Sequence, residues 1–98
     1  MLEIRQTEHY RHWFDKLKDR EARARIDIRL RRLSLGNPGN VKSVGEGVSE
    51  LKIDYGPGYR IYFTKKGSSL VILLAGGDKM TQTSDIEKAK KLVHEIEV

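Results

Sequence analysis

The sequence predicts an α+β domain, with two N-terminal helices and a C-terminal helix packed on an antiparallel sheet. Apolar and polar residues alternate on both sides of Gly56-Pro57-Gly58 within residues 49–63, the pattern of a β-hairpin. Two stretches upstream of it, and one at the C-terminus, instead repeat apolar residues at helical spacing. Residues 69–75 form a short apolar run bounded by turn residues, as a strand buried on both faces does. The expected order is strand, helix, helix, three or four strands, helix.

Leu2 and Ile4 alternate with Glu3 and Arg5, which gives a short first strand over residues 2–7. From Glu8 the period changes, and Tyr10, Trp13, Phe14 and Leu17 fall at i, i+3, i+4 and i+7 in one apolar stripe. His9 and His12 lie one turn apart, but no acid or cysteine at ligand spacing joins them, so they read as helix surface. Asp19 can cap a second helix, along which Ala22, Ile26, Leu30 and Leu33 repeat before Gly36 and Pro38 end it. Helices joined so closely form an αα-hairpin. Arg20, Arg23, Arg25, Arg29, Arg31 and Arg32 make the second helix basic outside. That face suits nucleic acid or an acidic partner, or else is a solvated surface with local ion pairs.

Asn37 to Asn40 is a loop, residues 41–44 begin a strand, and Gly45 and Gly47 suggest a tight turn into the hairpin. At the hairpin tip a type II turn over Gly56 to Tyr59 fits, with Pro57 second and Gly58 third. Lys65, Lys66 and Gly67 make the next turn, after which residues 69–75 are expected at the centre of the sheet. Gly76 and Gly77 stop that strand, and Asp78-Lys79 follows at its C-terminal end, where loops often carry function. Ser84 to Glu87 has the form of a capping box. Ile86, Ala89, Val93 and Ile96 continue as the inner stripe of the last helix, with His94 at its surface.

A chain of 98 residues forms one domain, residues 1–98, with a single modest core. It has no cysteine, so disulfides and thiolate metal sites are excluded. No apolar run approaches membrane-spanning length and the N-terminus lacks a signal-peptide core, so a cytoplasmic protein is expected. Nineteen Lys plus Arg against fourteen Asp plus Glu give a formal net charge of +5, which favours a polyanionic or acidic partner.

Strand parity sorts the hairpin. Leu51, Ile53, Tyr59, Ile61 and Phe63 form an apolar face, while Glu50, Lys52, Arg60 and Tyr62 share the other. With the helices on the apolar face, this second face stays open. Cleavage of RNA by its own 2′-hydroxyl needs a proton acceptor, a stabiliser of phosphoryl charge and a proton donor for the 5′-oxygen. Arg60 suits the middle task through its planar fork of donors. Lys52 can accept a proton if neighbouring cations, Lys79 among them, lower its pKa. Lys79 can instead supply a second phosphate contact or the leaving-group proton. Glu50 competes with Lys52 for the base role, or holds Arg60 or Lys52 as an ion-pair partner. Tyr62 can stack on a base, hydrogen-bond a phosphate or cover the sheet.

Three blocks, VGEGVSELKIDYGPGYRIYF (44–63), LLAGGDKMTQTSDIEKAKKL (73–92) and RLRRLSLGNPGN (29–40), resemble the RelE/ParE superfamily of bacterial toxins. The resemblance spans essentially the whole chain and is to the HigB-like addiction-module killer proteins, which are related to a phage protein family. It implies a RelE-like microbial RNase-type fold, with two N-terminal helices across a curved antiparallel sheet and RNA on the opposite, concave face. It further implies cleavage of messenger RNA, usually in the ribosomal A site, with no metal and no cofactor. The family's basic strand residue, the Arg of its GYR segment and the basic residue after the buried strand correspond to Lys52, Arg60 and Lys79. Glu50 joins them as a catalytic candidate, with Lys42, Tyr62 and Gln82 as expected RNA contacts. Where some relatives carry a Tyr or His as general acid, this chain has Met80, Thr81 and Gln82. The family's ELRI reads ELKI here, and its GD reads Gly39-Asn40. The implied partners are a helix-turn-helix antitoxin, mRNA on the ribosome and, through the antitoxin alone, operator DNA, with no membrane. Two alternatives stay open: a ParE-like poison of DNA gyrase, and a non-catalytic basic module in a repressor complex.

Overall fold

Thr7 sets the first boundary of the chain. Its hydroxyl accepts from the Tyr10 N–H at 3.1 Å and donates to the Leu73 carbonyl at 3.0 Å, so strand β1 (Glu3–Gln6) ends where helix α1 (Glu8–Lys16) is capped. The computed structural model describes residues 1–96. Asp19 caps α2 (Arg20–Ser34) as expected, its carboxylate accepting from the N–H groups of Glu21 at 3.0 Å and Ala22 at 3.2 Å. Arg23 closes the other helix end by donating to the carbonyls of Phe14 at 2.9 Å and Leu17 at 3.2 Å.

Strands β2 (Val41–Gly45), β3 (Val48–Ile53), β4 (Tyr59–Lys66) and β5 (Leu70–Gly77) complete a five-stranded sheet of order β1-β5-β4-β3-β2. The α+β class is as expected, but the sheet is mixed, because β1 pairs with β5 in parallel. A strand of four residues carries too short a pattern to fix its own direction of pairing. The centre of the sheet is β4, and β5 lies between it and β1. Helix α3 (Gln82–Ile96) begins two residues before the expected capping box, after Asp78 has accepted from the N–H groups of Met80 at 2.9 Å and Thr81 at 3.2 Å.

Both faces of the sheet are covered, which departs from the one-sided packing expected. On one face Tyr10, Ala22, Ile26, Leu30 and Leu33 of α1 and α2 meet Leu51, Ile53, Tyr59, Ile61 and Phe63. On the other, Ala89 and Val93 of α3 meet Val48, Tyr62, Leu74 and Ala75. Tyr62 is the reason. A phenol counted as polar in the alternation is mostly hydrocarbon and, with Val48 and Leu74, completes a second apolar patch.

The end of β5 shows how closely the two layers approach. A Cβ on Gly76 would run into the ring of Trp13 from α1, and one on Gly77 into the carboxylate of Asp85 from α3. Successive strand residues face opposite sides, so this pair of glycines admits one helix on each. A register shift between Tyr62 and Phe63 against Ala75 and Leu73 sets that facing, since it sends both Leu74 and Ala75 towards α3.

Candidate functional site

The cross-strand register assembles the site. Lys42 pairs with Glu50, Glu50 with Tyr62 and Tyr62 with Ala75, while one rung on Lys52 pairs with Arg60 and Arg60 with Gly77. The sharing of one face by Glu50, Lys52, Arg60 and Tyr62, read from parity, follows from this register.

The β3–β4 turn places the rung with Lys52 and Arg60 beside Lys79. The hydrogen-bonded turn runs from Tyr55 to Gly58, whose N–H donates to the Tyr55 carbonyl at 3.1 Å, one residue earlier than the type II turn expected. Gly56 therefore takes the first central position with φ 56°, and Pro57 the second, the sign pattern of a primed hairpin turn. A Gly-Pro-Gly sequence satisfies either register, since either glycine can take a positive φ. The Pro57 carbonyl then accepts from the Lys79 N–H at 3.4 Å, which ties the loop after β5 to the turn.

Lys52, Arg60 and Lys79 line one surface cavity of about 350 Å³, with Asp54, Tyr55 and the turn as its other walls. Lys52 is half-buried and Lys79 exposed, whereas Arg60 is only 6% exposed and forms the floor. Arg60 Nη1 donates to the Gly58 carbonyl at 2.7 Å. Its Nε is buried without a hydrogen-bond partner, 3.7 Å from Glu50 Oε2. A buried donor left open in this way costs stability, and its nearest acceptor is the Glu50 carboxylate beneath the cavity. Asp54, not weighed from the sequence, sits 3.4 Å from the Lys52 ammonium as its counter-ion.

Glu50 is 2% exposed and belongs to a network rather than to the cavity wall. Its Oε2 accepts from the Tyr62 hydroxyl at 3.0 Å and from Gln82 Nε2 at 2.9 Å, and Lys42 Nζ lies 3.8 Å from Oε1. So placed, it is an ion-pair partner, the second of the two roles its sequence allowed. Tyr62 is fully buried beneath α3, which corrects its expected role in contacting RNA: a ring packed between sheet and helix has no face to offer a base. Gln82 faces Glu50 instead of the cavity, while Lys42 remains exposed beyond the network.

Burial, and then the Glu50 charge, push the Tyr62 hydroxyl well above the ordinary phenol range. A folded-state pKa raised above the unfolded value stabilises the fold below about pH 10, and that stability is lost as pH rises further, because the unfolded chain ionises first. Tyr62→Phe should therefore show a shallower alkaline loss of stability than wild type. Denaturant midpoints taken between about pH 9 and 11 check this, and superimposable pH profiles would contradict it.

Three of the six arginines of α2, Arg23, Arg25 and Arg29, are engaged within the fold. Arg23 lies 4.4 Å over the Phe14 ring, and Arg25 4.7 Å over the Tyr55 ring while pairing with Glu21 at 2.9 Å. Arg29 donates to the Lys52 carbonyl at 2.9 Å and the Pro38 carbonyl at 3.2 Å, so it supports the strand that carries Lys52. Other surface depressions are as large or larger, about 430 Å³ along α1 around His9 and His12, about 460 Å³ along α2 around Ile28 and Arg32, and about 360 Å³ around Leu2 and Lys65. None of these three is lined by Arg60. Among the described residues no three or more His, Cys, Asp or Glu side chains gather as a metal site needs, and no helix is long and apolar enough to cross a membrane.

Fold and site together define a small α+β domain with a basic cavity at the end of its central strands. Residues 12–94 match the family described as phage-derived protein Gp49-like (DUF891), and the chain belongs to that family. It is similar to a protein of Haemophilus influenzae described as an uncharacterized protein, 47% identical over 95 residues that cover 97% of this chain and 96% of the relative.

Proposed function

We propose that this protein is the toxin of a type II toxin–antitoxin module, a HigB-like member of the RelE/ParE superfamily that cuts mRNA on the ribosome. The observation that carries the reading is Arg60: a buried guanidinium at the floor of a cavity rimmed by Lys52 and Lys79. The Gp49-like family, of the toxin-like addiction-module type, supports it.

The reaction is transesterification. The 2′-oxygen loses its proton and attacks the adjacent phosphorus, and the 5′-oxygen departs with a proton, leaving a 2′,3′-cyclic phosphate and a 5′-hydroxyl. Arg60 neutralises the extra charge that gathers on the phosphoryl oxygens in the transition state. The two proton transfers fall to the rim lysines Lys52 and Lys79, one taking the 2′-hydroxyl proton as the neutral amine and the other giving a proton to the 5′-oxygen as the ammonium, and Glu50 takes neither because its hydrogen bonds inside the fold occupy it. The exposed Lys42 extends the positive track for the RNA backbone. In this reading the protein acts in the cytoplasm, and its own restraint is a helix-turn-helix antitoxin.

Purified protein incubated with programmed ribosomes in EDTA should cut within codons and leave cyclic-phosphate ends. Intact message would contradict the reading, and stabilised gyrase–DNA breaks in a supercoiling assay would replace it with the gyrase-poison alternative.

A further inference from the structure

Oε2 of Glu50 accepts two hydrogen bonds, from Tyr62 on the neighbouring strand at 3.0 Å and from Gln82 at the first position of α3 at 2.9 Å. A carboxylate oxygen has two lone pairs, so this one is saturated. Arg60 Nε stands 3.7 Å from the same atom, beyond hydrogen-bond distance, and has no other partner. A guanidinium and a carboxylate buried side by side ordinarily close to about 2.7–2.9 Å, often through two parallel bonds. Here the oxygen that Arg60 would take is already occupied. The atom of Glu50 that lies nearest to Arg60 Nε is this same Oε2, while Oε1 is on the side of Lys42, 3.8 Å away.

We propose that Gln82 is a positioning residue which, together with Tyr62, holds the Glu50 carboxylate off Arg60 and so keeps the guanidinium charge uncompensated for an oxyanion that enters the cavity. The inference rests on the reading of Arg60 as the phosphate anchor and extends it to a residue outside the cavity. An open donor in the interior is a strained arrangement, of the kind that persists only where the surroundings impose it. Tyr62 imposes it from the sheet and Gln82 from the helix. The Gln82 N–H faces the Lys79 carbonyl at 3.5 Å, and Asp78 caps the same turn, so one short loop carries both the rim cation and the donor that restrains Glu50. Docking of α3 is thereby coupled to the state of Arg60.

Gln82→Met replaces the amide by an apolar chain of similar length. Without that donor Glu50 Oε2 turns to Arg60 Nε and the pair closes. Inorganic phosphate titrated into 15N-labelled protein, followed at the Arg60 Nε–Hε resonance, should then bind about tenfold more weakly than to wild type, the scale of one hydrogen bond to a charged group. The same variant should melt at or above the wild-type temperature, because a new internal bond replaces the lost one. Tyr62→Phe removes the other donor to the same oxygen and should weaken phosphate binding in the same direction. A Gln82→Met protein that melts lower and binds phosphate as wild type does would make the contact merely structural and overturn the proposal, as would wild-type protein whose Arg60 resonance ignores phosphate. If the phosphate pattern holds while ribosomes keep their message intact, the positioning role stands and the cleavage reading alone fails.

Discussion

Arg60→Lys should slow message cleavage by about 10²–10³-fold, the usual loss when one preorganised donor to a developing oxyanion is removed. The substitution keeps the charge, and charge is the smaller part of what Arg60 offers. One edge of the guanidinium is held by the Gly58 carbonyl at 2.7 Å and its Nε lies beside Glu50, which fixes the plane of the group at the cavity floor. A lysine ammonium on a flexible stem cannot serve both ends. Loss of the bond to Gly58 and of the ion pair with Glu50 should also lower the melting temperature. Single-turnover cleavage on programmed ribosomes, alongside thermal unfolding, separates the two effects. Retention of the wild-type rate would remove Arg60 from the chemistry.

Glu50→Ala should be the most damaging change to the fold, at about 3–5 kcal/mol, the range for removing one partner of a buried charged pair. It would leave the Tyr62 hydroxyl and the Gln82 amide without their acceptor, and Arg60 without its nearest anion. For a domain of this size that corresponds to a fall in melting temperature of more than about 12 °C. Glu50→Gln retains the volume and an acceptor oxygen and should fall well short of that loss. Equal, small losses in the two variants would mean that the carboxylate is solvated rather than the hub of a buried network.

The shared facing of the basic cluster is legible in the sequence. Parity alone put Glu50, Lys52 and Arg60 together, and the loop after β5 brought in Lys79, because strand alternation fixes facing wherever one face is buried. Of the roles open to Tyr62, covering the sheet is the one it fills; the alternation counts a phenol as polar, although the double-sided burial expected of residues 69–75 already requires cover on the second face. The α2 arginines form a basic stripe in the sequence, but nothing in their spacing tells that Arg23 reaches a helix end and Arg29 a strand carbonyl. Gln82 offered no signal either. Its task depends on a contact 32 residues distant in the chain, with a carboxylate whose burial only the packed α3 creates.

The central claim is that Lys52, Arg60 and Lys79 grip one phosphodiester. A crystal structure with a short RNA made uncleavable by a 2′-deoxy nucleotide at the scissile position tests it most directly. The expected result is a phosphate in the cavity beneath the Tyr55–Gly58 turn, within hydrogen-bond distance of Arg60 and flanked by the two lysine ammonium groups. RNA seated instead along the α2 arginines, with that cavity empty, would contradict it.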